Sequence, residues 1–153
     1  FAQARERVAE QRAETWGSDT ELNTTAAIFM KVEAAHAKRN PAEEAAIDAE
    51  FHLSIIEASH NVIMLHMMRS MYQLLQEGVF YNRQVMFKQR TTRDMLLGQH
   101  RAINDALQAR DADGARTAVE QHLGFVEDAL ANHKQAERHE AIAKKRFEHE
   151  LKR

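Results

Sequence analysis

Asp48 and His52 stand four residues apart, a spacing that stacks two side chains one turn above each other on an α-helix. Both lie on or beside an apolar stripe made by Ile47, Phe51, Ile55 and Ala58. His100 takes a place in a second such series, with Leu96, Ile103 and Leu107. His122 does so in a third, with Ala115, Ala118, Phe125 and Ala129. Buried polar groups need partners, and a buried carboxylate is costly unless a cation or a metal neutralises it. Three imidazoles and one carboxylate aimed at a common interior suit Zn²⁺, Ni²⁺ or a similar transition metal. Coordination positions would remain for water or a chelating ligand. A lone inward histidine is more often a hydrogen-bonded core residue than a ligand. It is the coincidence of three with an aspartate that points to a metal, and periodicity does not prove that they converge.

The elements that must carry these residues are helices. One proline and five glycines in 153 residues leave few breaks, and the abundant residues are good helix formers. No stretch alternates with period two for long enough to suggest a strand. The class is all-α, and the punctuation divides the chain into about six helices. The first covers Phe1 to about Trp16. Ser18 or Asp19 caps the second, with Glu21 placed as the capping-box partner of Ser18, and this helix stops near Asn40. Pro41 suits the first turn of a third helix that reaches about Ser59, with Glu43 and Glu44 favourably near its N-terminal dipole. Asn61 can cap a fourth that runs from Val62 to about Phe87. A fifth starts after Thr91 or Thr92 and ends near Arg110. The last starts at Asp111 or Asp113 and could run to Arg153 as a charged tail. Short connections imply an antiparallel bundle.

Composition narrows the function classes. The formal charge is -2 with 29% charged residues, so no global basic field exists to grip a phosphate backbone. Without cysteine there is no disulfide and no thiolate-metal site, which suits a reducing cytoplasm. No apolar run is long enough to span a bilayer. The sequence opens at Phe1, already inside a helical pattern, and is read as part of a longer protein.

The segment Asp48-Ala-Glu-Phe-His52-Leu-Ser-Ile-Ile-Glu-Ala-Ser59-His-Asn61 resembles the signature of the C-terminal effector (FCD) domain of the FadR subfamily of GntR transcription regulators. Gln99-His100-Arg-Ala-Ile-Asn-Asp-Ala-Leu is similar to a second motif of that family. So is Asp111-Ala-Asp-Gly-Ala-Arg, which leads into His122-Leu-Gly-Phe-Val-Glu. The motifs come in the family's order and cover nearly the whole chain from the second helix onward. The resemblance implies a bundle of six to seven antiparallel helices around a central metal and ligand pocket. It also implies a homodimer and, in the full protein, a preceding winged helix-turn-helix that binds operator DNA. In metal-binding members an Asp and a His of the first motif and one His of each later motif are ligands. Those positions are Asp48, His52, His100 and His122 here, which implies a metal-binding member with one divalent ion, zinc or nickel, rather than an acyl-CoA sensor.

The family's effectors are small carboxylates. An α-hydroxy acid can chelate a metal through two oxygens while an arginine clamps its remaining charge. Arg69 follows Val62 and Leu65 and precedes Tyr72 at helical spacing, so it is expected near the bundle interior. Its alternative is an ion pair with a helix carboxylate. Metal-binding members often carry another pocket arginine on the first helix; Arg5 is the candidate equivalent, although the glutamate usual one turn later corresponds to Ala9 here, with Glu10 one place off. Asn61 is the third candidate effector residue. The stretches Ser59 to Arg69 and Gly78 to Asn82 most resemble lactate- and glycolate-responsive regulators, so a short 2-hydroxy acid is the expected effector. Three other readings compete. A metal-dependent hydrolase would use the open coordination positions to activate water, but no general base stands out beside the ligands. A di-iron centre could use Glu33-Ala-Ala-His36 and Glu57-Ala-Ser-His60, yet these sit on consecutive helices. A pure interaction domain would leave the histidines structural. His36, His60, His66, His133, His139 and His149 read as surface or packing residues, and the methionines as adaptable core filling.

Overall fold

The computed structural model describes residues 17–74 and 90–151. Among them are five α-helices and no strand: α1 Asp19–Lys38, α2 Pro41–Ala58, α3 Val62–Leu74, α4 Arg90–Gln108 and α5 Ala112–Glu150. The all-α expectation holds. The expected helix over 1–16 and the extension of the Val62 helix to Phe87 lie outside the described residues.

Local chemistry sets the helix ends. Ser18 and Glu21 form the full capping box, with Glu21 N–H donating to Ser18 Oγ at 3.3 Å and Ser18 N–H to Glu21 Oε2 at 2.8 Å. The Ser18 hydroxyl also donates to Glu21 Oε2 at 2.7 Å, and this bond, followed by that from the Ser18 N–H, holds Glu21 below the usual glutamate range. Asn40 caps α2, whose first residue is Pro41. Asn61 caps α3 by accepting from the Met64 N–H at 3.1 Å, and Asp111 caps α5 by accepting from Gly114 at 3.0 Å. Arg39, His60 and Arg110 close the preceding helices at positive φ, between 51° and 57°, in the left-handed conformation that ends many helices. One boundary differs from expectation. Thr91 and Thr92 lie inside α4 and do not cap it.

The chain divides into a unit spanning Phe1–Leu123 and a second spanning Gly124–Arg153. In the first, Leu22, Ile28, Phe29 and Val32 of α1 meet Phe51 and Ile55 of α2, Ile103 and Leu107 of α4, and Ala115 and Val119 of α5. Phe51, Ile55, Ile103, Leu107 and Ala115 belong to the apolar stripes read from the sequence, whereas Phe125 and Ala129, the later members of the α5 stripe, are only half-buried. Each large aliphatic or aromatic side chain buried in this core contributes about 1.5–3 kcal/mol. A smaller cluster joins Ile56 of α2 to Met64 of α3, with Leu65 and Met68 packed against it. In the second unit the C-terminal part of α5 exposes Ile142 and Phe147, and Leu151, just beyond the helix, is exposed as well. No described helix is long and apolar enough to cross a membrane.

Candidate metal centre

The first unit carries an unusual set of buried polar residues in its interior. Asp48 and His52 project from α2, His100 from α4 and His122 from α5, and none is more than 5% exposed. One ring nitrogen of each histidine lies within 4.8 Å of the others. His52 Nε2 and His100 Nε2 are 3.3 Å apart. Asp48 Oδ1 is 3.1 Å from His100 Nε2 and 3.7 Å from His52 Nε2. The imidazole of His122 stacks on His52 at 5.2 Å between ring centres and sits 4.6 Å from that of His100. Four residues expected from the sequence to share a site are thus drawn together from three helices.

Whether these residues suit a metal can be judged from their spacing. Two nitrogens bound tetrahedrally at roughly 2.0–2.1 Å from zinc are about 3.3 Å apart. The His52–His100 separation meets that spacing without rearrangement. Phe51 packs on one side, its ring 5.5 Å from that of His100 and 5.8 Å from that of Phe29, and a carboxylate as buried as Asp48 is costly unless a cation or a metal offsets its charge. The donor set and the spacing both fit a divalent transition metal.

Residues that the sequence reading did not assign to a site surround this cluster. Gln99 is half-buried, and its Oε1 lies 3.1 Å from His122 Nδ1. Asn104, one turn after His100, is buried, and its amide oxygen has no hydrogen-bond partner among the described residues. Glu44, one turn before Asp48, is 1% exposed and forms a two-pronged ion pair with Arg93. Arg93 Nε donates to Glu44 Oε2 at 2.8 Å, and Nη2 donates to the His36 carbonyl at 3.0 Å as well as to Glu44 Oε1. The Glu44 bond is the main cause that raises the Arg93 pKa further, so its charge is fixed. Each of these residues stands at a helical spacing from a metal candidate or directly beside one. That spacing was the available signal.

Arg69 and Asn61, two of the three effector candidates, have partners outside the metal cluster. Arg69 is exposed, with 52% of its side chain accessible, and it pairs with Glu57. This corrects the interior placement expected of it. The buried face of α3 centres on Met64 and Met68, and Arg69 follows Met68 by one residue, a turn of about 100°. The oxygen of Asn61 serves the α3 cap. Arg5 lies outside the described residues. The Glu-x-x-His residues are likewise committed to ion pairs: Glu33 with Arg101, Glu57 with Arg69, and His60 with Glu21. His36 is half-buried and bridges Glu44 and Asp94.

A family model described as the FCD domain matches residues 3–125. The chain belongs to the FCD domain family. The motif resemblance to the effector domain of GntR-type regulators therefore holds. A protein of Escherichia coli (strain K12) named as a regulator of the L-lactate dehydrogenase operon is 45% identical over 83 residues, which is 54% of this chain and 32% of that protein. The HTH-type transcriptional regulator LutR of Bacillus subtilis (strain 168) is 32% identical over 87 residues, covering 56% of this chain and 40% of that protein. These alignments span only about a third to two fifths of the relatives' length. Among solved structures, E. coli McbR/YncC superposes with a TM-score of 0.70 at 17% identity, covering 88% of this chain and 61% of that one. That likeness supports the helical fold. The FCD assignment identifies a regulatory domain; one relative is named for the regulation of an operon and the other as a transcriptional regulator.

Proposed function

We propose that this FCD domain senses a small carboxylate, preferably a 2-hydroxy acid such as lactate or glycolate, at one divalent metal held by Asp48, His52, His100 and His122. The observation that carries the reading is the convergence of these four buried residues at ligand spacing. Zinc is preferred and nickel is the alternative. A metal bound there would supply positive charge and, with its coordination expanded beyond the four protein ligands, positions for the acid's oxygens. The name of the E. coli relative, which refers to L-lactate dehydrogenase, supports this effector class.

The chain's own residues then explain how occupancy becomes a signal. Asp48 and His52 belong to α2, His100 to α4 and His122 to α5, so anything that draws the four together also draws three helices together. An effector shifts the domain between packings only by binding one more tightly than the other. The domain works as a homodimer in the cytoplasm and passes that shift to an attached helix-turn-helix domain, which holds operator DNA. The exposed Val62, Ile63 and Met67 of α3 support a self-associating surface.

Calorimetric titration of the zinc-loaded chain with L-lactate, glycolate, pyruvate and citrate tests the reading. Heat is expected with the 2-hydroxy acids. Heat with pyruvate alone, or with none of them, overturns the effector assignment. The hydrolase alternative gains no residue from the site, because no further general base stands among the residues described beside the ligands.

A further inference from the structure

We infer that Gln99 is a positioning residue for the metal centre: its side-chain oxygen holds His122 Nδ1–H, and so leaves the Nε2 lone pair for the metal. The inference rests on the metal-centre reading above and adds to it a residue outside the ligand set.

A neutral imidazole has one N–H and one lone pair, and its neighbour decides which nitrogen carries which. Gln99 meets His122 at Nδ1, 3.1 Å away. A glutamine amide offers an oxygen that accepts and an NH₂ that donates, so two pairings exist. If the NH₂ donated to Nδ1, the proton would sit on Nε2 and no lone pair would remain there. If the oxygen accepts from Nδ1–H, Nε2 is free to bind. Only the second pairing is compatible with His122 as an Nε2 ligand. Metal-bound histidines commonly donate their second N–H to such an acceptor, and losing it typically costs 10- to 100-fold in metal affinity.

The position of Gln99 adds a second consequence. It precedes His100 on α4, while His122 belongs to α5, so one turn of α4 both supplies a ligand and orients a ligand from another helix. Gln99 is also neutral. With Asp48 as the sole carboxylate among the described residues beside three imidazole ligands, a divalent ion would retain one net positive charge for an anionic acid. Glutamate at position 99 would accept the same N–H but cancel that charge.

The test uses zinc in competition with a chromophoric chelator, on the unaltered chain and on Gln99→Ala and Gln99→Glu. Gln99→Ala is expected to bind zinc 10- to 100-fold more weakly with its metal-free melting temperature unchanged, and Gln99→Glu to restore zinc binding. In zinc-loaded Gln99→Glu, L-lactate should bind roughly tenfold more weakly, the size expected of one extra negative charge at a partly screened site. Nitrogen-15 NMR of the unaltered zinc-loaded chain should show the His122 proton on Nδ1, and this reading does not depend on how either variant folds. A His122 proton on Nε2, or equal zinc affinity in Gln99→Ala, overturns the positioning role. Undiminished lactate affinity in Gln99→Glu overturns the charge argument. A wild-type chain that takes up no zinc overturns the metal-centre reading itself, and this inference with it.

Discussion

His100 is 1% exposed and lies within reach of both Asp48 and His52, so its loss should be felt at every other ligand. His100→Ala is expected to lower metal content and effector affinity together, measured by elemental analysis and calorimetry on the same preparation. Unchanged metal stoichiometry would remove His100 from the site. Asn104 offers a different kind of test. A buried amide oxygen without a partner costs on the order of 1–3 kcal/mol, a cost that proteins tend to retain at functional positions. Asn104→Leu is therefore expected to raise the melting temperature of the domain while weakening the response to L-lactate. Equal lactate affinity in the variant would mark Asn104 as a packing residue only. His100 stood in an apolar series that the sequence displayed, and Asn104 lay beside it. Their convergence was not displayed, because helical phase gives a side chain's angle about its own axis and not its distance from a neighbour's.

The helix ends were the most legible elements. Ser18, Asn40, Pro41, Asn61 and Asp111 each act where their short-range chemistry predicts, since a cap depends on residues only two or three positions away. Thr91 and Thr92, expected to cap, lie within α4 instead, because a threonine is tolerated in a helix interior even though it favours a cap. The capping box at α1 carries a pH dependence. Glu21 is lowered below its ordinary pKa, chiefly by the Ser18 hydroxyl, so its stabilisation is present above the unfolded-state value and fades as pH falls through the folded one. Ser18→Ala should cost about 1 kcal/mol at neutral pH, read by urea denaturation. The difference between variant and wild type should shrink below the glutamate range. A gap that stays constant to pH 3 would show that Glu21 ionisation plays no part.

Across the whole first unit, the polar interior is layered, with the Glu44–Arg93 pair one turn from Asp48 on α2 and two turns from His100 on α4. Removing one member leaves a buried charge without its partner, so Arg93→Leu should destabilise by about 3–5 kcal/mol. Glu44→Leu with Arg93→Leu together should recover most of that loss, as two apolar side chains fill the same space. A double variant no more stable than Arg93→Leu alone would show that the pair is not the source of the cost. Metal removal acts on the same scale, because a ligand bound only by the folded state adds to its stability. Chelation is expected to lower the melting temperature of zinc-loaded protein and to restore water access around the cluster, followed by amide exchange in α2 and α4. A chelator without effect on either would argue that the four residues are structural.

By itself the sequence determined the helical class, the caps and the inward phase of Asp48, His52, His100 and His122, because these depend on neighbours within a turn or two. Tertiary structure decided what those residues meet. It drew the ring nitrogens of three helices to ligand spacing, aimed Gln99 at His122, and paired Glu44 with Arg93, 49 positions away. It also turned Arg69 outward to Glu57, because the packing of Met64 and Met68 against Ile56 fixes which face of α3 is buried. Spacing along a chain sets the direction of a side chain, and only the docking of one helix on another sets its distance to a partner.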